Sequence, residues 1–236
     1  VVTAYPYYPG WKLYAGYGRW LYSKAIEDGV TVVRCPLYVP ARPSGAKRMA
    51  HLFSFAVSSL PAVIWQALTW RPDAVIAIAP TLFAAPGAAL AGWAGGARNW
   101  LHIQDFEVDA AFELGLLEGG WLRRFALGLE RWLLGRFASV SSISDNMCRR
   151  LAEKGVAGDR VQFLPNWVDT NVIRPLDDST AIRAEFGVPA DALVALYAGN
   201  MNTKQGIETI IEAARMLPAD ADVCFVIAGD GPSRNR

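Results

Sequence analysis

Short apolar runs recur along the chain and alternate with stretches whose apolar residues return at helical spacing. The runs cover 1–4, 30–37, 74–79, 100–103, 139–143, 161–164, 193–198 and 223–228. Runs of that length, uncharged or nearly so and bounded by turn residues, predict strands of the buried, parallel type. The intervening patterns predict helices over 45–70, 82–95, 121–137, 145–154, 179–186 and 206–217. Strict alternation of the two predicts an α/β protein with doubly wound parallel sheets. Asp28-Gly29 lies between two strand-like stretches and predicts a two-residue hairpin turn, an antiparallel interruption of the pattern.

The periodicity breaks between Pro165 and Pro189, where Pro165-Asn166, Arg174-Pro175 and Asp177-Asp178-Ser179 read as linker. Within it, 179–186 predicts a short helix with Asp178 or Ser179 as N-cap and Gly187 as C-cap. The expected organisation is a first domain over 1–172, a linker with its helix over 173–192, and the start of a second domain over 193–236. The chain opens at Val1 without methionine and stops shortly after a strand, so both ends read as truncations of a longer protein.

Two uncharged stretches, 52–70 and 74–97, raise the question of membrane spans. In the second, Pro80 and Pro86-Gly87 divide strand from helix. The first is flanked by Lys47, Arg48 and Arg71, but Ser54, Ser58, Ser59, Pro61 and Gln66 lower its apolarity; it reads as a peripheral or core helix, with membrane contact as the alternative.

Composition narrows the function classes only a little. With 23 basic and 22 acidic residues among 236, the net charge of +1 gives no reason to expect nucleic acid as a partner. Cys35, Cys148 and Cys224 are widely spaced and form no metal-binding or disulfide pattern, so they read as buried, reduced thiols of a cytosolic protein.

Candidate chemistry lies where predicted strands end. The strand over 193–198 runs into Gly199, Asn200, Met201, Asn202, Thr203, Lys204, Gln205 and Gly206 before a helix. Such a loop presents free N–H groups and a positive helix end to an anion, and Lys204 adds a full charge. An ordinary loop with a solvated lysine explains the same residues equally well. The strand over 223–228 ends in Gly229, Asp230 and Gly231, small residues that allow close backbone approach by a ligand or simply a tight turn. The strand over 100–103 carries His102 and leads into Gln104, Asp105, Phe106, Glu107, Val108 and Asp109. A histidine and carboxylates at a strand's carboxyl end can hold a sugar hydroxyl or take a proton from one. Alternatively, His102 is bonded within the core and the carboxylates cap the next helix. For Asp109 the capping role is the better reading. His51, on an apolar helix, reads as a packed residue. No complete dinucleotide or P-loop pattern is present.

Taken in order, these pieces resemble the family-4 retaining glycosyltransferases, and more narrowly their colanic-acid and exopolysaccharide subgroup. The resemblance rests on Pro165-Asn166-Trp167-Val168-Asp169, the run from Gly199 to Gly206, Gly229-Asp230-Gly231-Pro232, Tyr7-Tyr8-Pro9, 34–40, Pro80-Thr81-Leu82-Phe83 and His102-Ile103-Gln104-Asp105, and it covers essentially the whole chain. It implies two Rossmann-like domains facing a cleft, the second only partly present here. It further implies a nucleoside diphosphate-sugar donor on the second domain, held by Gly199, Asn200, Lys204, Gly206, Gly229, Asp230 and Gly231, with Lys204 neutralising the departing diphosphate. Asn200 stands where the family often has arginine. By the same resemblance the first domain is expected to take a lipid-linked saccharide acceptor at the cytoplasmic face of the membrane. Transfer is expected to proceed with retention, without metal or other cofactor, with His102, Asp105 and Glu107 as the catalytic candidates. The family's glycine-rich loop would precede Val1 and its paired glutamates would follow Arg236, so the chain alone is expected to be inactive. Two alternatives share the architecture: an inverting transferase or epimerase, and a non-catalytic sugar-nucleotide-binding scaffold subunit.

Overall fold

The computed structural model describes the chain except residues 9, 19, 43–44, 80–81, 107, 110–119, 202–204, 219, 232 and 235–236. It divides into two compact units, Val1–Trp167 and Val168–Arg236. The protein is of the α/β class, with helices between parallel strands as the sequence pattern predicts.

In the first unit, β1 (Val2–Ala4) pairs in parallel with β3 (Val30–Cys35), whose other edge takes β2 (Ser23–Glu27) in the antiparallel sense. Glu27 faces Val30 across a two-residue turn in which Asp28 and Gly29 have φ of 48° and 79°. Both left-handed residues are what such a hairpin needs, and Asp-Gly supplies them at low cost.

A second sheet, all parallel, runs in the order β4 (Ala74–Ala79), β5 (Arg98–Ile103), β6 (Ser139–Ser142), β7 (Val161–Phe163). Its crossovers are the helices α2 (Ala85–Gly95), α3 (Gly120–Leu134) and α4 (Asp145–Glu153). Because each crossover moves one strand onward in the same direction, right-handed connections put all three helices on one face. The core lies there, between Leu101, Ile103 and Val140 of the sheet and Leu133, Leu134 and Leu151 of the helices. The long helix α1 (Gly45–Thr69) joins β3 to β4 and packs along α2. In its inward face the Ser54 hydroxyl accepts from Tyr38 N–H, Ser58 Oγ donates to the Pro36 carbonyl, and His51, buried, places Nδ1 2.5 Å from the Tyr38 carbonyl.

The second unit carries α5 (Thr180–Glu185), then β8 (Leu193–Ala198) and β9 (Val223–Ala228), paired in parallel around the crossover helix α6 (Ile207–Met216). The N-terminal turn of α5 is held by Asp178, whose carboxylate accepts from Thr180 N–H at 2.8 Å, while the Ser179 side chain makes no capping bond. Cys35 is buried, whereas Cys148 and Cys224 are only partly so.

Candidate functional site

In-register neighbours of a parallel sheet project to the same side. Ala77, Leu101, Val140 and Val161 are aligned and face the helices; Ile78, His102, Ser141 and Gln162 are aligned on the opposite face. His102 is thus buried, at 4% exposure, but on the side away from the main core. There it sits in a chain of hydrogen bonds at the carboxyl edge of β5. Trp100 Nε1–H donates to Ser141 Oγ at 2.7 Å, and His102 Nδ1 lies 2.8 Å from the same oxygen. On the other side, Gln104 Nε2 lies 2.8 Å from His102 Nε2 and donates to Asn166 Oδ1 at 3.1 Å.

The donor pattern assigns the tautomer. An amide nitrogen only donates, so His102 Nε2 accepts and the ring proton sits on Nδ1, donated to Ser141. Burial lowers the His102 pKa and so favours this neutral form. With both ring nitrogens engaged, the outward ends of the chain are Gln104 and Asn166. Asp105 follows at the exposed end of the strand. Glu107 lies outside the described residues.

Asp109 belongs to a different cluster. Lys154 Nζ lies 3.0 Å from its carboxylate and 2.6 Å from that of Glu130, while Arg150 reaches Asp109 at 3.2 Å. Glu130 is buried, and burial raises its pKa against the opposing pull of Lys154. Asp109 therefore ties α4 and its C-terminal lysine to the segment after β5 instead of pointing at a ligand.

In the second unit the loops after β8 and β9 lie against each other. Gly199 N–H donates to Ala228 O, Met201 N–H to Asp230 O and Ser233 N–H to Met201 O, at 2.8–2.9 Å. The glycines are required by this contact: a Cβ on Gly229 would stand 1.8 Å from the Gly199 carbonyl oxygen, and one on Gly231 would stand 2.3 Å from that of Met201. Their φ values of 156° and 152° add backbone strain for any other residue. Close approach here is that of the neighbouring loop. Asp230 accepts from Gly231 N–H at 2.8 Å and stays exposed, and Tyr197 OH donates to the Asn200 carbonyl. Gly206, at φ 62°, ends the β8 loop where α6 begins. Lys204 lies outside the described residues.

The sequence does not point to Ser141 as a partner of His102, to Trp100 as a second donor to Ser141, or to Asn166 as the acceptor of Gln104. The serines of β6, Ser139, Ser141 and Ser142, are the available signal, but the register that brings Ser141 to His102 joins residues 39 apart. Among the described residues no three His, Cys, Asp or Glu side chains gather as a metal site needs.

Parallel strands crossed over by helices, with polar side chains collected at strand carboxyl ends, make a Rossmann-like α/β fold, and comparison with known proteins makes the family specific. A family model described as a glycosyl transferase 4-like domain matches residues 1–167, and the chain belongs to that family. It is 44% identical over 241 aligned residues to the Escherichia coli (strain K12) protein named as a colanic acid biosynthesis glycosyl transferase, WcaI, covering all of this chain and 58% of that protein. It is also 34% identical over 85 residues to D-inositol 3-phosphate glycosyltransferase 1 of Catenulispora acidiphila, covering 36% of this chain and 20% of that protein. Among solved structures, Anabaena HepE in complex with UDP and glucose shares the fold, with a TM-score of 0.52 and 20% identity over 72% of this chain and 43% of that one. HepE in complex with UDP-glucose aligns with a TM-score of 0.53 and 17% identity over 80% of this chain and 45% of that one. The chain thus spans a little over half of its colanic acid relative, 58%.

Proposed function

We propose that the protein carrying this chain transfers a sugar, with retention, from a nucleoside diphosphate-sugar to a lipid-linked saccharide acceptor during exopolysaccharide assembly. The observation that carries this reading is the 44% identity that runs through the whole chain to a protein named for colanic acid glycosyl transfer. HepE, similar in fold, was solved with UDP-glucose, which makes a uridine diphosphate-sugar the first donor to assay.

In this reading the donor diphosphate lies at the paired loops after β8 and β9, against the N–H groups at the start of α6, with Lys204 as counter-charge. The transfer uses no metal ion or other cofactor. The acceptor meets the carboxyl edge of β5, where Asp105 and Glu107 orient its hydroxyl. His102, neutral and fully bonded, acts by fixing Gln104 and Asn166. The protein works at the cytoplasmic face of the membrane, where such an acceptor resides.

The test is transfer by the intact protein from a panel of radiolabelled nucleotide-sugars to membrane lipid extracts, with the product's anomeric configuration read by NMR. A retained configuration, and a donor affinity weakened by about tenfold or more in Lys204→Ala, is expected for loss of one charge-assisted contact. Inverted product removes the retaining mechanism, and donor binding without transfer to any acceptor favours a scaffold subunit.

A further inference from the structure

Helix α1 is turned inside out relative to a solvated surface helix. Its polar side chains His51, Ser54, Ser58 and Ser59 face the protein, and its outer stripe is Met49, Phe53, Val57, Leu60, Trp65 and Leu68, all exposed. A soluble amphipathic helix has the reverse arrangement. The helix is 25 residues long, and the stripe from Met49 to Leu68 extends for about 29 Å along it. It is long and apolar enough to cross a membrane. However, its inward face is bonded to the segment between β3 and α1 and packed on α2, β1 and β3, which holds it along the protein.

The neighbouring helices expose apolar side chains as well. On α2, Leu90 and Trp93 are exposed, and an open groove between α2 and α3 is lined by these two with Trp132 and Arg136. On α3, a second apolar stripe, Trp121, Phe125, Leu129 and Trp132, faces outward although Leu133 and Leu134 already fill its inward face. A helix apolar on both faces has two apolar environments to satisfy. The exposed charge within these three helices is of one sign. The only carboxylate in the three helices is Glu130, buried and bonded to Lys154, whereas Lys47, Arg48, Arg123, Arg124, Arg131 and Arg136 are all exposed. Tryptophans on the stripes beside exposed cations are what the boundary between acyl chains and anionic headgroups selects.

We propose that the α1–α2–α3 face is sunk into one leaflet of an anionic bilayer, with α1 lying in the interface plane, and that apolar burial, more than charge, holds the protein there. This rests on the reading of a transferase that works at the membrane and adds the mode of attachment: one leaflet, a named face, resistant to salt. An attachment made only by Arg42, Lys47 and Arg48 would instead be weak and salt-sensitive.

The experiment is flotation of the intact protein, without donor or acceptor, on phosphatidylcholine vesicles with and without phosphatidylglycerol. It is run at about 0.1 M and about 1 M salt, where the screening length falls from about 10 Å to about 3 Å. Binding that persists at high salt is expected, with a loss of about tenfold or more in Phe53→Asp/Trp65→Asp and in Phe125→Asp. These side chains are exposed, so circular dichroism should be unchanged. Replacement of Lys47, Arg48, Arg123 and Arg124 by Gln should leave high-salt binding in place. Release at high salt overturns the proposal. So does a soluble dimer that Phe53→Asp converts to monomer with no vesicle binding, which would make the face a protein interface. Failure of glycosyl transfer with vesicle binding intact would fall on the functional reading alone.

Discussion

His102 Nδ1 lies 2.8 Å from Ser141 Oγ, across two neighbouring strands and on the sheet face away from the helices. Since Ser141 also accepts from the Trp100 indole N–H, one hydroxyl serves a buried donor and a partly buried one, and the imidazole passes the order on to Gln104 and Asn166. A polar network of this kind is stabilising only while every member is satisfied. Ser141→Ala should therefore cost about 1–3 kcal/mol, measured by chemical denaturation, because two donors lose their acceptor at once.

The same burial makes stability depend on pH. His102 has a folded pKa below its ordinary 6.5, so between the two values the unfolded chain binds more protons than the folded one. The His102 contribution is then fully present above about pH 6.5 and is lost as pH falls toward the folded value. Unfolding curves from pH 7 to 5 should show stability declining. That decline should be shallower in His102→Gln; an equal slope in both proteins would assign it to other groups.

Glycines of the second unit should separate by what their Cβ would meet. At Gly206 the nearest atom is 3.6 Å away and only the φ of 62° opposes a side chain, so Gly206→Ala should cost about 1 kcal/mol. At Gly229 a Cβ would meet a carbonyl oxygen at 1.8 Å, which only a displaced backbone can relieve. Gly229→Ala should cost about 3 kcal/mol or more and weaken nucleotide binding by parting the two loops. Equal losses in calorimetry and titration would refute the distinction.

The strand and helix pattern was legible because burial dictates periodicity: β4, β8 and β9 begin and end where their apolar runs do. Asp28-Gly29 announced its hairpin because few other pairs tolerate two left-handed residues. What stayed hidden depends on register between distant segments. Nothing local to His102 tells that Ser141 lies beside it, and nothing local to Gly229 tells that its missing side chain leaves room for Gly199. Likewise, the apolarity of α1 was visible, but which way its serines point was not. Thiol burial was overread at Cys148 and Cys224, whose sequence surroundings do not reveal that they are only partly covered.

Lys154 should behave as the keystone of the α3–α4 contact. Its removal leaves the Glu130 carboxylate, 2% exposed, without its cation. Lys154→Met should cost about 3–5 kcal/mol near pH 7. Without Lys154 the folded pKa of Glu130 rises further, the folded state then binds more protons than the unfolded one, and the variant regains stability as pH falls. Adding Glu130→Gln should restore much of the loss, and a double-mutant cycle measured at two pH values checks both statements.

At the carboxyl edge of β5, structure and chemistry should come apart in adjacent residues. His102 is buried with both nitrogens bonded, so His102→Ala opens a cavity and strands Ser141 and Gln104; about 2 kcal/mol or more of stability should be lost. Asp105 is exposed, and Asp105→Asn should cost less stability than His102→Ala. If Asp105 orients the acceptor hydroxyl in the proposed transfer, the same substitution should lower turnover by about 100-fold or more with little change in donor affinity. Measured side by side in the intact protein, denaturation and turnover then rank the two residues in opposite order. An Asp105→Asn enzyme with full turnover would remove the carboxylate from the reaction, and an unaltered unfolding midpoint in His102→Ala would show that the hydrogen-bonded chain contributes nothing to the fold.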